Sequence, residues 1–185
     1  LDDLTPDETE AVEINWMSER LSGGDDPTAF GPNNSGRGVG GSMLHWGAFT
    51  PRPDRRDLAL RTESGVGRDW HVDPDELLSY VERVEGDIGV SGPTPYPWDP
   101  ARTYAYAPAK RNAPANLVAK GCDALGIRWA DAPAAVLTRA RLQDHHGERG
   151  ACVNCGECHQ GCRVDAKAST ANTYLPAAVA AGAEI

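Results

Sequence analysis

The chain has 185 residues, of which 40% are hydrophobic, and 18 Lys and Arg against 27 Asp and Glu give it a formal net charge of −9. That charge argues against a nucleic-acid partner, and no apolar run reaches the length of a membrane span. Five cysteines, an odd number with four inside eleven residues, do not form the framework of a secreted disulfide-rich domain and fit a reducing compartment, so a cytoplasmic location is expected.

The chain begins at Leu1 and closes on Ala181-Gly182-Ala183-Glu184-Ile185, a helix end running toward a strand. It is therefore read as an internal part of a longer protein, and an export signal upstream stays open. Residues 1–22 carry Val12, Ile14, Trp16 and Met17 in a pattern that selects neither strand nor helix. Ser22 to Ser35, rich in Gly, Asp, Pro and Asn, reads as a loop. Next come five glycines in twelve residues, from Gly36 to Gly47, with His45 and Trp46 inside the run. Thr50-Pro51-Arg52-Pro53 ends that segment, because prolines at this spacing forbid a continuing helix.

Asp73-Pro74-Asp75-Glu76 supplies an N-cap, a proline in the first turn and two acids. Leu77, Leu78, Val81 and Val84 follow at helical spacing, and the helix is expected to end before Gly86 and Gly89. Residues 91–108 read as an extended Pro- and Tyr-rich loop. Ala113 to Leu125 make a second helix stopped by Gly126, Val136 to Leu142 a candidate strand, the cysteine segment a loop, and Thr173 to Ala181 a third helix closed by Gly182.

Glycines cost conformational entropy, so a cluster without a repeat implies that something approaches the main chain closely. Gly38, Gly40, Gly41 and Ser42 are candidates to direct backbone N–H groups at phosphate oxygens. The spacing alone also suits a plain surface loop, since it is neither a phosphate loop nor a dinucleotide fingerprint. The string Gly-Arg-Gly-Val-Gly-Gly-Ser-Met-Leu-His-Trp-Gly, however, resembles the second flavin-contacting segment of the glucose-methanol-choline (GMC) oxidoreductases. Asp69-Trp70, Tyr80 to Glu85, Gly89 to Gly92, Lys167 to Thr170 and Tyr174 to Ala177 extend the likeness across residues 30–185.

The resemblance implies an α/β fold, α+β within this stretch, that forms an incomplete part of a Rossmann-like FAD-binding domain. Residues 1–35 would be its lead-in, 36–92 the flavin-contacting segment and helix, 93–150 a connecting, substrate-side region, and 151–185 a cysteine loop and helix leading to a strand. It also implies that Gly40, Gly41 and Ser42 lie against the pyrophosphate and ribityl chain of FAD, and that His45, Trp46 and Gly47 approach the isoalloxazine. In pyranose-oxidase-like members the histidine matching His45 carries the flavin covalently. In bacterial sugar dehydrogenases of the family the His-Trp pair occurs without that bond, and non-covalent FAD is expected here. The family's catalytic base is a histidine nearer the C-terminus, so none of His71, His145, His146 and His159 is assigned that role. His145 and His146 read as solvated.

Cys152, Cys155, Cys158 and Cys162 have the CxxCxxCxxxC spacing of a bacterial ferredoxin run, although Arg163 stands where proline is usual. Resemblance to iron-sulfur sugar dehydrogenases implies a [3Fe-4S] cluster on Cys152, Cys158 and Cys162; a [4Fe-4S] cluster, a structural zinc and reduced thiols are the other readings. Cys122 reads as a small helix hydrophobe. The expected function is oxidation of a CH–OH donor, an alcohol, polyol or sugar, by hydride transfer to FAD, with electrons passed to an external acceptor. A ferredoxin-like carrier and a zinc-stabilised interaction module are the rival classes.

Overall fold

The computed structural model describes residues 15–21, 29–36 and 39–185, the first two stretches by backbone alone. The chain divides into two compact units, one comprising residues 1–48 with 139–185 and the other residues 49–138.

In the first unit, strand β1 (Asn15–Leu21) pairs antiparallel with β2 (Ala29–Gly36), in a register that sets Asn15 opposite Gly36 and Met17 opposite Asn34. The loop expected over Ser22 to Ser35 is thus a strand from Ala29 onward. Pro32 is tolerated because a two-stranded ribbon is all edge, where a missing donor breaks no inner ladder. A short hairpin joins β3 (Arg141–Gln143) to β4 (Gly147–Arg149). The strand expected over Val136 to Leu142 is reduced to its last two residues and Gln143, since Ala140 precedes β3 without ladder pairing. The unit closes with helix α5 (Tyr174–Ala180), and Gly182 follows it at φ +96°.

The second unit carries two one-turn helices, α1 (Arg55–Leu58) and α2 (Leu60–Ser64), and two longer ones, α3 (Pro74–Ile88) and α4 (Ala113–Leu125). The start of α3 follows its sequence signals: the Asp73 carboxylate accepts from the backbone N–H of Asp75 and Glu76, a cap worth about 1 kcal/mol. The helix runs through Gly86 and stops at Gly89 in the left-handed conformation. Asn112 caps α4 through Ala115, and Gly126 ends it. The 91–108 segment is extended but anchored: Ser91 exchanges backbone bonds with Ala134 at 2.8 and 2.9 Å, and Gly92 donates to Tyr106.

The inward stripe of α3 departs from the expected apolar pattern. Ile88 is buried and Val84 exposed, and the buried position between them is Glu85, 8% exposed. Arg52 grips Glu85 with two bonds of 3.0 and 2.6 Å, and Arg102 adds a third at 2.6 Å. The Arg102 guanidinium lies 5.1 Å from the Tyr96 ring centre and 4.6 Å from that of Tyr104. Tyr104, its hydroxyl buried without a hydrogen-bond partner among the described residues, is pushed up to about 12 by burial. A carboxylate takes an apolar position here because two cations neutralise it.

Among the described residues both sheets are antiparallel pairs, so the fold is mixed helix and small sheet, in keeping with an α+β portion of an α/β domain.

Candidate functional site

Gly40 and Gly41 adopt φ of +102° and +56°, and a tight 3-10 turn over Gly41–Leu44 delivers the chain to His45 and Trp46. Both values lie in the left-handed region that glycine enters at no steric cost. Among the described residues no atom beyond its chain neighbours stands within 4 Å of where a Cβ on Gly41 would sit, so its main chain is open to them on that side. Gly38, expected beside them, lies outside the described residues.

The turn is held from behind by residues 158–170. Trp46 donates its indole N–H to the Ala168 carbonyl at 2.8 Å, and the Thr170 hydroxyl donates to the Gly40 carbonyl at 3.1 Å. His159 Nδ1 lies 3.0 Å from the His45 carbonyl oxygen. A Cβ on Gly47 would meet the His159 ring at 2.9 Å, which is why glycine follows the His-Trp pair. The supporting segment is itself fixed by Asn172, which donates to Asp165 at 2.6 Å and to the Lys167 carbonyl at 2.8 Å, and accepts from the Ser169 N–H at 2.8 Å. Against this frame, the Nε2 of His45 is buried and has no hydrogen-bond partner among the described residues. Buried ring nitrogens are normally paired, so one without a partner among the described residues marks this turn as a candidate contact for a bound group.

The four clustered thiols do not form a metal site among the described residues. Among the described residues no group of three or more His, Cys, Asp or Glu side chains stands close enough to hold a metal ion, so the iron-sulfur set expected from Cys152, Cys155, Cys158 and Cys162 is not assembled. Asn154 and Gly156 take φ of +56° and +85°, and Cys155 between them is exposed, the one thiol that the three-iron reading leaves out. Cys152 and Cys162 each accept a backbone N–H, from Asn154 at 3.4 Å and Lys167 at 3.3 Å. Burial, with smaller contributions from Cys152 and Cys162, raises the Cys158 thiol above its ordinary value. Thiolate is the reactive form. Alkylation at mildly alkaline pH is therefore expected to modify exposed Cys155 well before half-buried Cys158, a ranking that peptide mass mapping checks directly.

Three residues that matter here were not singled out by sequence reasoning for what they do. Lys167, quoted only as part of a motif, is 3% exposed. Arg149 is fully buried and donates to the carbonyls of Asp165 and Ala166 and to the Gln143 side chain. His159 packs on the glycine turn. The one readable signal was Lys167 flanked by alanines, small neighbours that let a long side chain pass inward. His146, expected to be solvated, is exposed but pairs with Asp165.

Comparison with known proteins places these features in a wider set. A family model described as GMC oxidoreductase matches residues 32–185. The chain is 28% identical over 151 residues to a 2-methyl-1,2-propanediol dehydrogenase of Mycolicibacterium austroafricanum, covering 80% of this chain and 26% of that protein. It is 42% identical over 57 residues to the fructose dehydrogenase large subunit of Gluconobacter japonicus, covering 31% of this chain and 10% of the relative. The chain thus spans about a quarter or less of the length of these relatives.

Proposed function

The chain belongs to the GMC oxidoreductase family, and from that membership we propose that it forms one wall of the FAD site in a larger flavoenzyme that oxidises the CH–OH group of an alcohol, polyol or sugar. The observation that carries this reading is the pairing of two left-handed glycines, of which Gly41 is open where a Cβ would sit, with the buried Nε2 of His45, which has no hydrogen-bond partner among the described residues. The turn leaves room where a Cβ on Gly41 would intrude, and the ring nitrogen finds no partner among the described residues.

In this reading the backbone at Gly40, Gly41 and Ser42 lies along the pyrophosphate and ribityl chain, and Gly38 joins them. His45, Trp46 and Gly47 face the ring system, with Trp46 held by its bond to the Ala168 carbonyl. His45 offers Nε2 as a hydrogen-bonding group, and the flavin is bound without a covalent link. FAD, when bound, supplies the acceptor for a hydride leaving the donor carbon. This chain orients that group and keeps water from its face; the base that removes the hydroxyl proton is proposed to come from outside these 185 residues. The two relatives are named for a diol and a sugar, which supports a polyol or sugar as donor.

Electrons are proposed to leave to an external acceptor. The finer reading, an iron-sulfur cluster on the 152–162 loop, has the cysteine spacing and two amides directed at sulfur in its favour and the lack of a metal-holding group among the described residues against it. The residues as placed do not fit such a group, and no step is derived through it. A ferredoxin-like carrier or a zinc-stabilised module leaves the family match over residues 32–185 without a purpose.

The test is anaerobic mixing of the whole enzyme with a panel of diols, polyols and sugars. Bleaching of flavin absorbance by at least one of them is expected; a flavin that no CH–OH donor reduces contradicts the proposed reaction.

A further inference from the structure

The side chain of Lys167 sits between the two most conspicuous sequence features of the chain and joins them. Its ammonium has three N–H donors and finds three acceptors: the carbonyls of Leu44 at 2.7 Å, Trp46 at 3.3 Å and Cys158 at 2.6 Å. Two of these carbonyls flank His45 on the glycine turn; the third belongs to the thiol loop. Burying an ammonium is costly unless every donor is used, and here every donor meets a backbone carbonyl. Hydrophobic contact or an apolar side chain at this position would close the space without holding either carbonyl.

We infer that Lys167 is a positioning residue that fixes the backbone on both sides of His45 and locks that turn to the loop at Cys158. The inference rests on the FAD reading above for its functional consequence, though not for its geometry. Holding the Leu44 and Trp46 carbonyls sets the direction in which the His45 ring and the Trp46 indole project, and so sets how they meet a flavin. The same three bonds make the 152–162 loop and the glycine turn a mechanical pair, with His159 bonded to the His45 carbonyl as a second link. Burial pulls the Lys167 pKa below its ordinary value, while Cys158 and Cys162 oppose that pull.

The test compares the whole, FAD-loaded enzyme with its Lys167→Met and Lys167→Arg variants in flavin spectrum, reduction potential and steady-state kinetics. Lys167→Met is expected to shift the flavin spectrum and potential and to lower kcat by about a hundredfold, the order that a misplacement of about 1 Å costs, while KM stays near its original value. Lys167→Arg, which keeps charge and donors, is expected to move the spectrum back toward wild type. A Lys167→Met enzyme with unaltered spectrum, potential and kcat overturns the inference. If the variants do not fold, amine-directed labelling of the wild type decides: Lys110 and Lys120, both exposed, label and Lys167 stays protected, whereas ready labelling of Lys167 in the folded protein overturns the inference. A wild-type enzyme that binds no flavin sinks the FAD reading and leaves the labelling result to judge the clamp by itself.

Discussion

Replacing Glu85 by Gln is expected to destabilise the second unit by about 3–5 kcal/mol, the cost of breaking a buried ion pair and leaving its partner uncompensated. Glu85, Arg52 and Arg102 have side chains only 8%, 10% and 4% exposed. Removing the carboxylate leaves Arg102 with no acidic partner among the described residues, held over two tyrosine rings with a buried Nε that already lacks an acceptor. Glu82 provides the internal comparison. It lies on the same helix and bonds the same Arg52 at 3.0 Å, but its side chain is 62% exposed. Glu82→Gln is therefore expected to cost only about 0–1 kcal/mol, as exposed pairs do. Urea denaturation of the two variants side by side measures the difference. Equal midpoints would show that burial of the cluster does not set its energetic weight.

The second large effect is expected at His45, and it runs the other way. A buried polar atom with no partner adds nothing to stability, so replacement by an apolar side chain of similar size is neutral or mildly stabilising. His45→Leu should leave the denaturation midpoint unchanged or raised. If Nε2 serves the flavin or the charge that develops near it, the same variant should lose about 10²–10³-fold in kcat, the magnitude of one removed hydrogen-bond group in a preorganised site. Activity lost with stability kept is the signature of a residue retained for function. A His45→Leu enzyme that is as unstable as Glu85→Gln but turns over normally would make His45 a packing residue.

Both effects trace to side chains whose roles the sequence shows only in part. The long helices were readable because their signals are local: Asp73 before Pro74, Asn112 before Ala113, Gly89 and Gly126 at the ends. The glycine turn was readable as a turn, because Gly40 and Gly41 side by side suit the left-handed backbone that they adopt. Strand β2 was not readable. Ala29-Phe30-Gly31-Pro32-Asn33-Asn34-Ser35-Gly36 has the composition of a turn, and what makes it a strand is pairing with β1, a non-local contact that overrides propensity.

Buried charges were hidden for the same reason. Glu85 sits where the helical period predicts an apolar residue, and its partners Arg52 and Arg102 are 33 and 17 positions away. Lys167 finds acceptors 123, 121 and 9 residues distant, which no spacing rule anticipates. The cysteine run is the opposite case: ligand spacing was legible, but spacing alone does not build a site, and among the described residues no metal-holding group is assembled from it.

Whether this glycine turn touches a flavin decides the proposed function. The most direct measurement is the FAD content of the purified whole enzyme and of its Gly41→Val variant, read from flavin absorbance per chain. A Cβ and two methyls at Gly41 would fill the open side of the turn and force a β-branched residue to φ +56°. The prediction is one FAD per chain in the wild type, with flavin lost or markedly weakened in a variant that still folds. A folded wild type without flavin, or a Gly41→Val enzyme that binds FAD as tightly as the wild type, would contradict it.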